Sequence, residues 1–131
     1  SVGKAGTETP TGTWTMHRAG RWQELMGPSW GQYGTHVVNG IFVHSVACGQ
    51  ANSYNLPVGE YLRLGNPASH GCIRACVADA KWVWDNCNGS KIHIFDGTYT
   101  SNEALKGPLG RKALTPLRGS KNFDPTDPAC K

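Results

Sequence analysis

Several things are missing from this sequence. No apolar run approaches the ~20 residues a membrane-spanning helix needs. The opening residues are small and polar, without the charged and apolar regions of an export signal, so any such signal is expected outside the chain. There is no internal repeat and no glycine-rich phosphate or dinucleotide motif, which removes the usual nucleotide-binding classes. Lys and Arg form no dense run, and a net charge of +4 gives no argument for nucleic acid. It mildly suits anionic surroundings. Charged residues make up 17% against 38% hydrophobic, too apolar a balance for a disordered chain.

What is present fits one globular domain of 131 residues, taken as a single unit over 1–131. Gly 17 and Pro 8 imply many turns and short elements, hence a mainly β fold. Trp14 and Met16 alternate with polar neighbours, the period of a half-buried strand. Residues 18–34 show no clean period and read as irregular, with at most a short strand beside a cleft-lining loop. Residues 36–38 and 41–46 are β-branched runs separated by Asn39-Gly40, a strong hairpin signal. Residues 54–68 form a long connection with one helical turn near 60–64. The clear helix lies at about 77–87, where Val77, Ala80, Val83, Trp84 and Cys87 share one face and Asn88-Gly89 supply a stop. A strand at 91–95 follows. Residues 96–131 are expected as an irregular tail with one short element near 103–105.

The densest chemistry is Ser69-His70-Gly71-Cys72-Ile73-Arg74. A thiol is a useful nucleophile as thiolate, and neighbouring His and Arg favour that form. Gly71 permits a sharp turn, and adjacent backbone amides suit a developing oxyanion. The plainer reading is a surface loop with a structural cysteine. His44 ends the strand at 41–46, 28 positions before Cys72, and such a pair needs adjacency in space alone. Its plainer reading is a hydrogen-bonded histidine packed beside Phe42.

Five cysteines (48, 72, 76, 87, 130) suggest an oxidising compartment or a metal site. His44, Cys48, His70, Cys72 and Cys76 have zinc-binding side chains, but no C-x2-C pair is present and the spacings match no standard finger, so no metal is assigned. If 76–87 is helical, those two cysteines stand about 16 Å apart, beyond the ~7 Å reach of a disulfide. With Cys72 free, the pairings left are Cys48–Cys76 with Cys87–Cys130, or Cys48–Cys87 with Cys76–Cys130. All four reduced is a further alternative.

Together these segments resemble the L,D-transpeptidase (YkuD-type) domains. Residues 69–74 match that family's S/T-H-G-C-hydrophobic-R/N signature. Thr9-Pro10-Thr11-Gly12-Thr13 is similar to its T-P-x-G segment, and Ile41-Phe42-Val43-His44-Ser45 to its strand ending in the catalytic histidine. The resemblance runs in order from residue 1 to about 95. It implies a β-sandwich or barrel-like fold and attack on the L,D peptide bond of a peptidoglycan stem tetrapeptide. A Cys thioester forms, D-Ala leaves, and an acceptor amine resolves the thioester. It further implies Cys72 as nucleophile, His44 as proton carrier, and the Ser45 carbonyl as the group that orients the His44 ring. His70, Gly71 and Cys72 amides would form the oxyanion hole, with Ser69 and Arg74 holding the loop or a substrate carboxylate. No cofactor is implied. The partners are stem peptides, with β-lactams of the carbapenem type as inhibitors and an extracytoplasmic, bacterial setting. The alternatives are an L,D-carboxypeptidase, with water as acceptor, and a non-catalytic wall-binding module using the tryptophans. Against the family pattern, residues 47–64 read as an insertion, and the chain begins as though the family's first strands were missing.

Overall fold

The computed structural model describes residues 1–96, 116–117 and 122–130. The elements run β1 (Gly12–Thr15), β2 (His17–Arg18), β3 (Trp22–Leu25), β4 (Ser29–Gln32), β5 (Thr35–Val38), β6 (Ile41–Ser45), α1 (Val58–Leu62), β7 (Ile73–Ala75), α2 (Val77–Asn86) and β8 (Lys91–Ile94). The fold is mainly β, as the composition suggests. β2, β5, β6 and β7 form a four-stranded sheet in that order, while β1–β8 and β3–β4 form two-stranded ribbons. β6 pairs with β7 in parallel, His44 opposite Arg74, and the other pairings are antiparallel.

The Asn39-Gly40 signal forms its hairpin between β5 and β6, with Asn39 at φ 49 and a register shift just before the turn. The strand around Trp14 divides at Met16. Its N–H donates to Ser90 and its carbonyl accepts from Gly89, after which β2 changes partner from β8 to β5. Met16 is buried at that crossing with Val37 and Val43.

Three local readings change. Residues 22–32, expected as irregular, form the β3–β4 hairpin, which turns near Gly27 (φ 93). Its alternation is hidden because Gly31 meets a neighbouring side chain with bare backbone. The helical turn in the long connection is α1, two residues earlier than expected, started by Pro57 at φ −73. Tyr61 from α1 joins Val46, Cys48, Leu56 and Leu64 in an apolar cluster, so this connection has a small core of its own. In the tail, Phe123, Asp124 and Asp127 are buried. The expected element at 103–105 lies outside the described residues.

α2 fits the expected stripe. Val77 and Ala80 are buried, Trp84 meets Tyr33 edge-on at 5.5 Å, and Val83 and Cys87 pack towards Met16. Cys76 and Cys87 cap its two ends, which keeps them apart. Neither expected disulfide pairing is formed, and all five cysteines are free. Cys48 and Cys76 share the Tyr61 cluster, while Cys87 lies with the Met16 group.

The N-terminus of α2 has no cap from its own N-cap side chain. The Val77 N–H donates to Asp124 Oδ2 (2.8 Å) and the Ala78 N–H to Thr126 Oγ1 (3.1 Å), so the tail supplies the cap. A buried, charge-assisted cap of this kind contributes about 2 kcal/mol. Urea denaturation of Asp124→Ala is expected to show a loss of that order, against a few tenths for Asp79→Ala in the same first turn.

Candidate active site

The site begins with the backbone of residues 69–72, which leaves regular structure just before β7. Its carbonyls find partners far away in sequence. Thr7 Oγ1 donates to Ser69 O (2.9 Å) and Thr9 Oγ1 to Gly71 O (2.7 Å). The Lys4 N–H also reaches Ser69 O, and Ala68 and Ser69 N–H donate to Val2 O. Ser1 and Arg74 exchange N–H···O=C bonds. The N-terminal residues thus act as a clamp on the loop. Inside it, Ser69 is buried, its hydroxyl donating to Cys72 O (2.5 Å) and accepting from the Gly71 N–H (3.1 Å). Ser69 therefore ties the loop, and the Gly71 amide is already engaged. Gly71 takes φ 128, and a Cβ there would meet Ile41 Cδ1 at 2.7 Å, so the turn needs glycine.

Cys72, His44, His70 and Arg74 line one cleft of about 450 Å³, walled by Glu24 and Met26 from the β3–β4 hairpin. Of the five cysteines, Cys72 alone lines it. Its Sγ accepts from the Phe42 N–H (3.4 Å) and donates to Gly40 O (3.6 Å). Burial pushes this thiol above its ordinary value, while the Phe42 N–H and Arg74 pull down without overcoming it. The expectation that its neighbours would hold a thiolate is corrected on this point, because desolvation wins. Cys48, more deeply buried, is pushed up to about 11, first by burial and then by Asp124 and Asp127.

His44 is 2% exposed at the end of β6. Its Nδ1 bonds the Ser45 carbonyl, the contact the family resemblance calls for. A carbonyl accepts, so Nδ1 carries the proton and Nε2 keeps its lone pair. Burial lowers this imidazole to about 4; the Ser45 bond opposes that shift and Arg74 adds to it. A base near neutral pKa is the simplest expectation for this chemistry, and burial displaces it well below. At pH 7 the cleft therefore holds a neutral thiol and a neutral imidazole.

Arg74 Nη1 bonds Glu60 Oε2 at 2.7 Å, so α1 is tied to the loop. His70 is exposed at the rim. No group of three or more His, Cys, Asp or Glu converges to hold a metal among the described residues, and the zinc set His44, Cys48, His70, Cys72 and Cys76 does not assemble. No role for Thr7, Gly31 or Glu60 is visible in the sequence alone. Thr9 sits in a visible Thr-Pro signal, but its bond to Gly71 does not follow from it.

A model of the L,D-transpeptidase catalytic domain (YkuD) matches residues 1–110. A Bacillus subtilis (strain 168) protein, provisionally named L,D-transpeptidase YciB, is 59% identical over 27 residues, 21% of this chain and 14% of that protein. A solved Clostridium acetobutylicum ATCC 824 chain, described as a fused Zn-dependent amidase/peptidase/peptidoglycan-binding domain-containing protein, is 26% identical with TM-score 0.52. That match covers 72% of this chain and 38% of the other. A Stackebrandtia nassauensis L,D-transpeptidase shares the fold at TM-score 0.56 and 20% identity, covering 76% and 44%. The chain thus spans less than half the length of each of these relatives.

His44 also makes stability depend on pH. An unfolded imidazole takes its proton near 6.5 and the folded one near 4, so the unfolded state binds more protons between those values. Stability is therefore lost as pH falls from about 6.5 towards 4, by about 3 kcal/mol at most. Denaturant titrations of wild type and His44→Asn across that window should differ in slope, the variant losing less on acidification.

Proposed function

This chain belongs to the YkuD family of L,D-transpeptidase catalytic domains, and from that premise we propose that Cys72 is the nucleophile of a peptidoglycan acyl transfer. The observation that carries the reading is the pairing of a single cleft-lining thiol with an imidazole whose Nδ1–H is held by Ser45 O. Nε2 is then the atom with a free lone pair, and it takes the thiol proton as Sγ attacks. Because both groups rest neutral, proton transfer accompanies bond formation and no stored ion pair precedes it.

The donor is a stem tetrapeptide, cut at the L,D bond between its diamino acid and D-Ala. Sγ bonds to the carbonyl carbon, and His44 returns the proton to the departing D-Ala amine, leaving a thioester. An acceptor amine from a second stem loses its proton to His44 as it attacks, and the thiol is regenerated. We assign the developing oxyanion to the backbone amides of His70 and Cys72. The Gly71 amide would first have to release Ser69 Oγ. Arg74 and Ser69 serve as loop holders, the role their bonds to Glu60 and Cys72 O support. The substrate places the enzyme outside the cytoplasmic membrane. With water as acceptor the same steps give a carboxypeptidase, and analysis of the products distinguishes the two.

Intact mass after carbapenem treatment is expected to show one adduct on Cys72 in wild type and none in Cys72→Ala. His44→Ala should lower the acylation rate by roughly 10²- to 10⁴-fold. A folded wild type with an unmodified Cys72 would refute the assignment, and wall binding without turnover would favour the non-catalytic alternative.

A further inference from the structure

We propose that the C-terminal segment positions the catalytic base, with Asp127 acting on His44 through Gln32 and Gly31 of β4. The inference rests on the role given to His44 above, but its geometry stands separately. Gly31 lies directly against the imidazole: a Cβ there would come within 2.7 Å of Nδ1 and 2.9 Å of Cγ. The backbone of β4 is thus the wall that fixes the plane of the ring. The next residue, Gln32, donates its N–H to Ser45 Oγ (2.8 Å) in a buried contact. Ser45 is the residue whose carbonyl holds Nδ1. Two consecutive positions of β4 therefore meet two consecutive positions of β6, one at the ring and one beside its anchor.

β4 does not belong to the main sheet; it pairs with β3. Its hold on the end of β6 has to come from elsewhere. On one side of Gly31, Trp30 and Cys48 exchange backbone hydrogen bonds. On the other, the Gln32 side chain donates Nε2–H to Asp127 Oδ2 (2.9 Å), across 95 positions of sequence. Both residues are 3% exposed. Among the described residues Gln32 Oε1 is buried without a partner, so the Asp127 bond is the contact that keeps this amide in place. A buried charge-assisted bond beside an unsatisfied carbonyl is costly to lose, since removing Asp127 leaves the whole amide unpaired. Asp127 is itself fixed. Its Oδ1 accepts from the Ala129 N–H (2.9 Å), and three residues earlier Asp124 caps α2. The segment is therefore a strap, secured to α2 and pulling on β4.

Such a residue touches no reacting atom. Its effect should fall on how often Nε2 faces Cys72, not on how substrate binds. Three variants test this in the full chain: Asp127→Ala, Asp127→Asn, which retains one of the two accepting oxygens, and Gly31→Ala, which places a methyl against the ring. The readouts are kcat and KM normalised to the fraction of Cys72 that takes a carbapenem adduct, and ¹⁵N NMR of the His44 ring, which needs no substrate. Asp127→Ala and Gly31→Ala are expected to lower kcat by about 10- to 100-fold with KM near wild type. The ring signals should move from a single Nδ1–H tautomer to a mixture. Asp127→Asn should recover part of the loss. If Asp127→Ala fails to fold, the other two variants decide. His44 signals and kcat unchanged from wild type in both Asp127→Asn and Gly31→Ala would overturn the proposal. A wild type that takes no adduct overturns the proposed reaction instead, and the ring signals still report on the strap.

Discussion

Two hydroxyl-to-carbonyl bonds, from Thr7 to Ser69 and from Thr9 to Gly71, hold the backbone on which everything else at the site depends. A chain that leaves regular structure must satisfy its carbonyls somehow, and an irregular segment does so poorly by itself. Here the partners come from 62 positions earlier. With the carbonyls fixed, Gly71 can stay at its positive φ, Ser69 can close on Cys72 O, and the thiol is directed into the cleft. Loss of the clamp would free Cys72 from its place in the cleft it shares with His44 without touching either side chain.

The electrostatics of the cleft are set by burial more than by neighbours. Arg74, whose charge favours a thiolate, also disfavours an imidazolium, so it acts with opposite effect on the two groups. Desolvation raises one and lowers the other, and the outcome is a pair of neutral partners. This arrangement leaves the resting thiol protonated at neutral pH. In the proposed reaction the orientation of the imidazole is then the quantity that matters, because no ion-pair attraction at rest draws Nε2 to sulfur.

The parts of this protein legible in its sequence were those carried by local pattern. The Asn39-Gly40 hairpin, the α2 stripe, and the placing of Cys72 and His44 all rest on short-range signals, and the last two face one cleft. The parts not legible depend on contacts between distant segments. The β3–β4 hairpin was obscured because Gly31, opposite a buried ring, breaks the alternation that a strand normally shows. No local pattern at Glu60 reveals its bond to Arg74, 14 positions on. Residues 122–130 have the composition of a loose tail, rich in Asp and Pro, and yet Asp124 and Asp127 are buried because each satisfies donors on other elements. Proton affinities were misjudged for a related reason: sequence reveals neighbours but not depth.

The parallel pairing of β6 and β7 has one more consequence. Strands that run side by side in the same direction cannot be joined by a tight turn, so the chain must travel out from one and return to the start of the other. That return path contains α1 and its small core, and it ends in the clamp. A longer path costs little in loop entropy, but this one is bonded to its surroundings at both ends, through Cys48 to Trp30 and through Glu60 to Arg74. The route between the two strands therefore bears on Arg74, and a change in α1 reaches the charge in the cleft with no substitution among the residues that line it.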